Sequence, residues 1–304
     1  MPESKPLDGK VAVITGAGRG IGRALALGFA ASGAHVVVND LGANLQGSDK
    51  DLSPAQEVVA EIKAAGGEAV ADGHSVADPK EAEAIVATAV ETFGRVDIIV
   101  NNAGIVRDGL FHKMSYDDFD SVMKVHLYGS YNVSRAAAPF FREQKGGSYL
   151  HFTSTAGLIG NLGQVNYSAA KAGIAALSRG IAIDMSRFNI RSNCIAPFAL
   201  TRMVLSVPTD DREAFIEKRK HMTAEKMVPL SVFLCSDDAS DVSGQVFAVK
   251  GNEMFTMSQS RPTRSMHRES GWTQESIRDV FIPAVRSNLY SLETTMEVFH
   301  WDAV

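Results

Sequence analysis

Short runs of consecutive apolar residues alternate along this chain with longer stretches of helical period. Val11–Ile14, Val36–Val38, Asp97–Val100, Ser148–Phe152, Ile190–Ile195 and Gln245–Val249 read as strands, with a weaker one over Glu68–Asp72. Helical patterns lie between them at 21–32, 54–65, 78–93, 116–144, 165–188 and 224–237. A strand that is apolar at nearly every position must be covered on both faces, and helical crossovers make such strands parallel. Right-handed crossovers then build an α/β fold, a Rossmann-type doubly wound parallel sheet of about seven strands. No internal repeat or low-complexity linker interrupts 1–251, so these residues are expected to form one domain. Beyond Gly251 the sequence turns polar and irregular, with one helix-like piece near Thr273–Val285. Residues 252–304 are expected to be a C-terminal extension packed on that domain or on a partner subunit.

The first strand runs into Thr15-Gly-Ala-Gly-Arg-Gly-Ile-Gly22, which opens the first helix. That is the context in which a glycine-rich turn binds a dinucleotide. Gly16 permits the tight turn, Gly20 lets backbone approach a pyrophosphate, and Gly22 lets the helix pack closely; Gly18, Arg19 and Ile21 lie on the same loop. The N–H groups of the opening helix favour phosphate charge. The bland alternative is an ordinary glycine-rich turn. Asp40 ends the second strand, where a carboxylate accepts hydrogen bonds from adenine ribose hydroxyls and repels a 2′-phosphate; otherwise it caps a turn. Arg19 cuts the other way, because a guanidinium can pair with that phosphate. A fixed carboxylate beside a phosphate dianion is repulsive, whereas a flexible arginine can turn to solvent, so NAD is the expected cofactor. Asn101-Asn-Ala-Gly104 follows the fourth strand; Asn101, Ala103 and Gly104 suit a turn beside adenosine and ribose.

Tyr167 and Lys171 stand one helical turn apart and share a face. A free tyrosine, with a pKa of about 10, is a poor base at neutral pH. A nearby ammonium together with a positive nicotinamide ring is expected to lower that value, so that the phenol can exchange a proton with substrate as hydride moves. Ser154 ends the fifth strand and could hold the same carbonyl oxygen. A tyrosine–lysine pair alone is more often structural; the serine and the upstream glycine loop give it a chemical reading.

Composition narrows the class. A net charge of −5 argues against a nucleic-acid partner. No apolar run approaches the roughly 20 residues of a membrane span. Cys194 and Cys235 sit in apolar surroundings and are expected to be buried free thiols, and no metal site is expected. The polar start Met1–Lys10 and the end Trp301–Val304 carry no targeting motif, so a cytoplasmic enzyme is expected.

Thr15–Gly22, Asn101–Gly104, Ser154 and Tyr167-Ser-Ala-Ala-Lys171 resemble the defining motifs of the short-chain dehydrogenase/reductase family, over about Leu7 to Gly251. The resemblance implies that Ser154 positions substrate, that Tyr167 is the acid/base, and that Lys171 tunes it and binds the nicotinamide ribose. It also implies a homodimer or homotetramer. Val36–Gly42, Val125–Ser130, Gly160–Tyr167 and, faintly, Gly251–Ile277 are similar to one branch. That branch is the (3R)-hydroxyacyl-CoA dehydrogenase part of peroxisomal multifunctional β-oxidation enzymes, with bacterial relatives acting on steroid side-chain thioesters and steroid alcohols. His126 stands where the family usually has an asparagine of a proton relay; that branch also has histidine, and the alternative is a packing role. Ser75 replaces the usual adenine-contacting aspartate, which leaves the Val76 backbone as the contact. Phe198 replaces the glycine after Pro197 and changes the nicotinamide pocket, while Ile195 and Thr201 fit carboxamide-binding roles. Arg202–Lys226 lies where the family places a substrate lid; its charges could meet coenzyme A phosphates or could simply be a solvated face. The expected partner is a small molecule, an acyl-CoA thioester or a steroid. A non-catalytic dinucleotide-binding protein is the reading that the complete Ser154–Tyr167–Lys171 set disfavours.

Overall fold

The computed structural model describes residues 5–42, 52–200 and 211–303. β1 (Val11–Thr15), β2 (His35–Asn39), β3 (Ala69–Asp72), β4 (Ile98–Asn101), β5 (Gly147–Phe152), β6 (Ile190–Phe198) and β7 (Val246–Lys250) form one sheet in the order β3-β2-β1-β4-β5-β6-β7. All these neighbours pair in parallel. The chain winds outward from β1 to β3, crosses back to β4, and winds outward the other way. The strand order therefore reverses between β1 and β4, and the crevice at their carboxyl ends is where such sheets bind ligands.

Strand alternation feeds two cores from one chain. In β1, Ala12 and Ile14 face a core built with Leu25 and Phe29 of α1 (Gly20–Ala31) and with Val58 and Ile62 of α2 (Ser53–Ala64). Leu230 and Leu234 of the helix Val228–Cys235 complete that layer. Val11 and Val13 face the other core, with Ile85 and Val86 of α3 (Pro79–Phe93) and Val133 and Phe141 of α5 (Gly129–Gln144). This two-sided burial explains why the strands read as unbroken apolar runs.

Three expectations are corrected. The sheet has eight strands, because Glu253–Thr256 forms β8, antiparallel to β7. Lys250 pairs with Glu253 across a two-residue turn opened by Gly251 at φ 60°, so the sheet continues past the expected boundary at Gly251. The helix expected over 116–144 is three pieces: α4 (Tyr116–Val122), a π-helical turn Met123–Tyr128, and α5. The extension holds more order than its pattern suggested. Thr273 caps a helical stretch that runs through Ile277–Phe281 to Val285, and a second turn follows at Thr295–Val298. Among the described residues, no helix is long and apolar enough to cross a membrane, and no group of side chains could hold a metal ion. Cys194 and Cys235 are buried free thiols.

Candidate active site

The glycine loop leaves β1 at the switch point and is braced from β4. Thr15 Oγ1 donates to the Val100 carbonyl (3.2 Å) and accepts from the N–H groups of Asn102 (3.1 Å) and Ala103 (3.2 Å). Asn102 Nδ2 donates to the carbonyls of Thr15 and Gly16, both at 3.0 Å. A Cβ on Gly22 would stand 2.0 Å from the Gly16 carbonyl oxygen, so only glycine lets α1 start so close to the loop. Asp40 fixes the far side: Oδ2 accepts from Gly18 N (2.8 Å) and Oδ1 from Gly42 N (2.7 Å). The N-cap of α1 is Arg19, which makes no capping hydrogen bond, and the first turn holds no acidic side chain. An uncapped, acid-free helix start facing a glycine loop fits a pyrophosphate.

The predicted cofactor residues divide. Gly16, Gly18, Arg19, Gly20, Ile21, Gly22, Asp40, Ala103 and Gly104 all lie on this edge of the sheet. Asn101 does not offer its side chain: it is buried, with Nδ2 bonded to Ser134 Oγ (2.9 Å) and facing His151 Nδ1 (3.2 Å). The residue that shapes the loop is Asn102, inside the motif but not singled out. Val76 already gives its carbonyl to Asn132 Nδ2 (3.0 Å), and the Ser75 N–H donates to Glu81 (2.6 Å). Ile195 is fully buried in the core and Pro197 lies within β6. Thr201, like much of the expected lid, lies outside the described residues.

The catalytic candidates converge at the carboxyl end of β5. Ser154 ends β5's exit and caps α6 (Thr155–Leu158), accepting from Ala156 N at 3.1 Å. Tyr167 and Lys171 lie on α7 (Val165–Met185), with the Tyr167 phenol close enough to Ser154 to feel its hydroxyl. Asn166, fully buried, sets the start of this helix. Its Oδ1 accepts from Tyr167 N (2.7 Å) and its Nδ2 donates to the Arg107 (2.8 Å) and Asp118 (3.2 Å) carbonyls. Lys171 is buried, donating to the Phe152 carbonyl at 2.5 Å, with Nζ 5.5 Å from the Tyr167 ring centre.

The protein's own groups raise the Tyr167 pKa, so the expected lowering would have to come from the positive nicotinamide ring. Burial pushes the phenol up to about 12, the nearby Ser154 hydroxyl opposes this, and the Asp108 carboxylate adds to it. Burial also pulls Lys171 down to about 8. Desolvation is the largest cause of both shifts. His126, on the π-helical turn, is 1% exposed, with its ring edge-on to Tyr167 at 5.3 Å. Its Nε2 meets Ile105 N (3.1 Å) and O (2.9 Å), and Nδ1 is buried without a partner. Burial, followed by the Lys171 charge, lowers His126 to about 3, so the imidazole is neutral at physiological pH. His126 packs against Tyr167 as a neutral ring, and any part in a relay would run through its hydrogen bonds and not through its charge.

The family described as enoyl-(acyl carrier protein) reductase matches residues 16–251. The chain is 42% identical, over 90% of its length, to peroxisomal multifunctional enzyme type 2 of Mus musculus, of which it spans 36%. It is 40% identical to a hydroxyacyl-CoA dehydrogenase of Mycobacterium tuberculosis, over 83% of this chain and 80% of that protein. Its fold matches that of a 7α-hydroxysteroid dehydrogenase solved with NADH and 7-oxo glycochenodeoxycholic acid. The TM-score is 0.74 at 35% identity, over 83% of this chain and 97% of that one.

Proposed function

From the premise that the chain belongs to the short-chain dehydrogenase/reductase family, as an oxidoreductase acting on CH–OH groups, we propose that it oxidises a (3R)-hydroxyacyl-CoA to the 3-ketone with NAD. The observation that carries the reading is the Ser154–Tyr167–Lys171 group, gathered beside the braced glycine loop with Lys171 Nζ 5.5 Å from the Tyr167 ring centre. Bound nicotinamide supplies or takes the hydride. Ser154 holds the substrate oxygen, and Tyr167 takes the hydroxyl proton in oxidation or returns it in reduction. Lys171, one turn away, supplies the positive charge that a buried phenolate requires. The glycine loop and the start of α1 would hold the pyrophosphate, and Asp40 the adenine ribose.

A thioester is favoured because the Mycobacterium tuberculosis relative, a hydroxyacyl-CoA dehydrogenase, matches over 83% of this chain. Binding energy from the remote coenzyme A moiety can hold the reacting carbon in place, which a free alcohol cannot match. The steroid-bound neighbour supports a second reading, a hydroxysteroid dehydrogenase. Comparing kcat/KM for a 3-hydroxyacyl-CoA with that for the same alcohol without coenzyme A decides between them. A clear preference for the free alcohol, across straight-chain and steroid substrates, overturns the thioester reading. Assembly as a homodimer or homotetramer belongs to the same proposal. Ala172, Ala176 and Gly180 form an exposed stripe of small residues along α7, and light scattering that finds only a 32.6 kDa species refutes it.

A further inference from the structure

The C-terminal extension returns to the edge of the sheet that carries the site. Thr295 donates its backbone N–H to the Gly160 carbonyl (3.0 Å), in the loop between Ser154 and Tyr167. One helical turn later, Phe299 packs on Phe198, the last residue of β6, with ring centres 5.0 Å apart. It also meets Phe255 of β8 at 5.3 Å. The segment thus spans from the loop that carries the catalytic helix to the strand end that follows Pro197.

Its anchor is Lys250, at the end of β7 and only 2% exposed. Lys250 Nζ donates to the carbonyls of Phe299 and Trp301 and lies 4.4 Å from the Trp301 ring centre. Trp301 Nε1 in turn donates to the Glu253 carboxylate at 2.9 Å. A buried ammonium is costly unless its protons are accepted. Here both acceptors belong to the returning segment, so the cation and the segment hold each other in place. The chemistry assigned above makes no use of Lys250.

We infer that Thr295–Trp301 walls the substrate cleft at the end that receives the apolar group, and that Lys250 is the positioning residue that sets this wall. The half-buried Phe198 and Phe255 give it an aromatic face, set from behind by the buried Phe299, and its cation is already engaged, so it suits an acyl chain or ring system and not the phosphates of coenzyme A. The inference rests on the oxidoreductase reading but not on the thioester.

Three variants of the full-length protein test it: Lys250→Met, which keeps the apolar stem, Lys250→Arg, which keeps the charge, and Phe299→Ala. Each is assayed with a long and a short 3-hydroxyacyl-CoA, and NADH affinity is read by fluorescence as a control for folding. Lys250→Met and Phe299→Ala are expected to raise KM for the long substrate by about tenfold, with a smaller change for the short one. Changes in kcat stay within about twofold, since the reacting groups are untouched. Lys250→Arg restores much of the long-chain KM. An unchanged long-to-short ratio of kcat/KM with NADH binding intact overturns the inference. So does a parallel loss of NADH binding and of both activities, which marks a general prop of the fold. If the wild type turns over hydroxysteroids and no thioester, the thioester reading fails, and the wall is judged by the same ratio for large and small ring substrates.

Discussion

A methyl group placed on Gly104 would stand 2.4 Å from Cε1 of His126. The glycine that ends the Asn101–Gly104 turn and the histidine of the π-helical turn are thus one fitted pair, on elements far apart in sequence. Gly104→Ala is expected to destabilise the protein by about 1–3 kcal/mol through overpacking. The same change in a His126→Asn background should cost less, because the ring atom is gone. Denaturant unfolding of the four proteins measures the coupling, expected at about 1 kcal/mol. Additive costs would show that the two residues do not share this contact.

Tyr167→Phe removes the phenolic oxygen and little else. Turnover is expected to fall roughly 10²–10⁴-fold with NADH affinity preserved. A variant that keeps more than about a tenth of kcat rules Tyr167 out as the acid/base.

Lys171 makes stability depend on pH. Its folded pKa, about 8, lies below the ordinary 10.5. Below pH 8 both folded and unfolded chains hold the proton, and the folded chain bears the full cost of a buried charge. Between about 8 and 10.5 only the unfolded chain remains protonated, so stability rises with pH and this cost disappears. Lys171→Met should therefore gain most over wild type at neutral pH, up to about 3 kcal/mol less the lost bond to the Phe152 carbonyl. That advantage should shrink towards pH 10.5. The titration of Cys235, which does not feel Lys171, cancels in the comparison, whereas that of Cys194 does not. Chemical denaturation at several pH values checks it, and a pH-independent difference contradicts the buried-cation account.

Asp40 is held by two backbone N–H groups and cannot swing away from a 2′-phosphate. Repulsion of about 1–4 kcal/mol, depending on local screening, corresponds to a preference for NAD of about fivefold to nearly a thousandfold. Asp40→Asn should narrow it. Steady-state kinetics with both cofactors measures the ratio; equal kcat/KM in the wild type would mean that Arg19 governs the pocket.

The parallel strands and the glycine loop were legible because two-sided burial and a strand–turn–helix junction leave local marks. Ser154, Tyr167 and Lys171 were legible as a set for the same reason. β8 was missed because four residues alternating between half-buried and exposed carry a weak signal, although Gly251-Asn252 is a recognised hairpin pair. Asn102 and Asn166 act through hydrogen bonds to distant backbone, and the returning segment meets Gly160 and Phe198 only through the fold. The rise that burial gives the Tyr167 phenol was not legible, because burial is a property of the tertiary structure.

The bracing of the glycine loop by Thr15 and Asn102 has a kinetic consequence. A receptor whose shape is tied down before its ligand arrives loses little conformational entropy on association. Capture of the dinucleotide should then be a single concentration-dependent step, without a slow isomerisation, and its rate should follow diffusion and ionic strength.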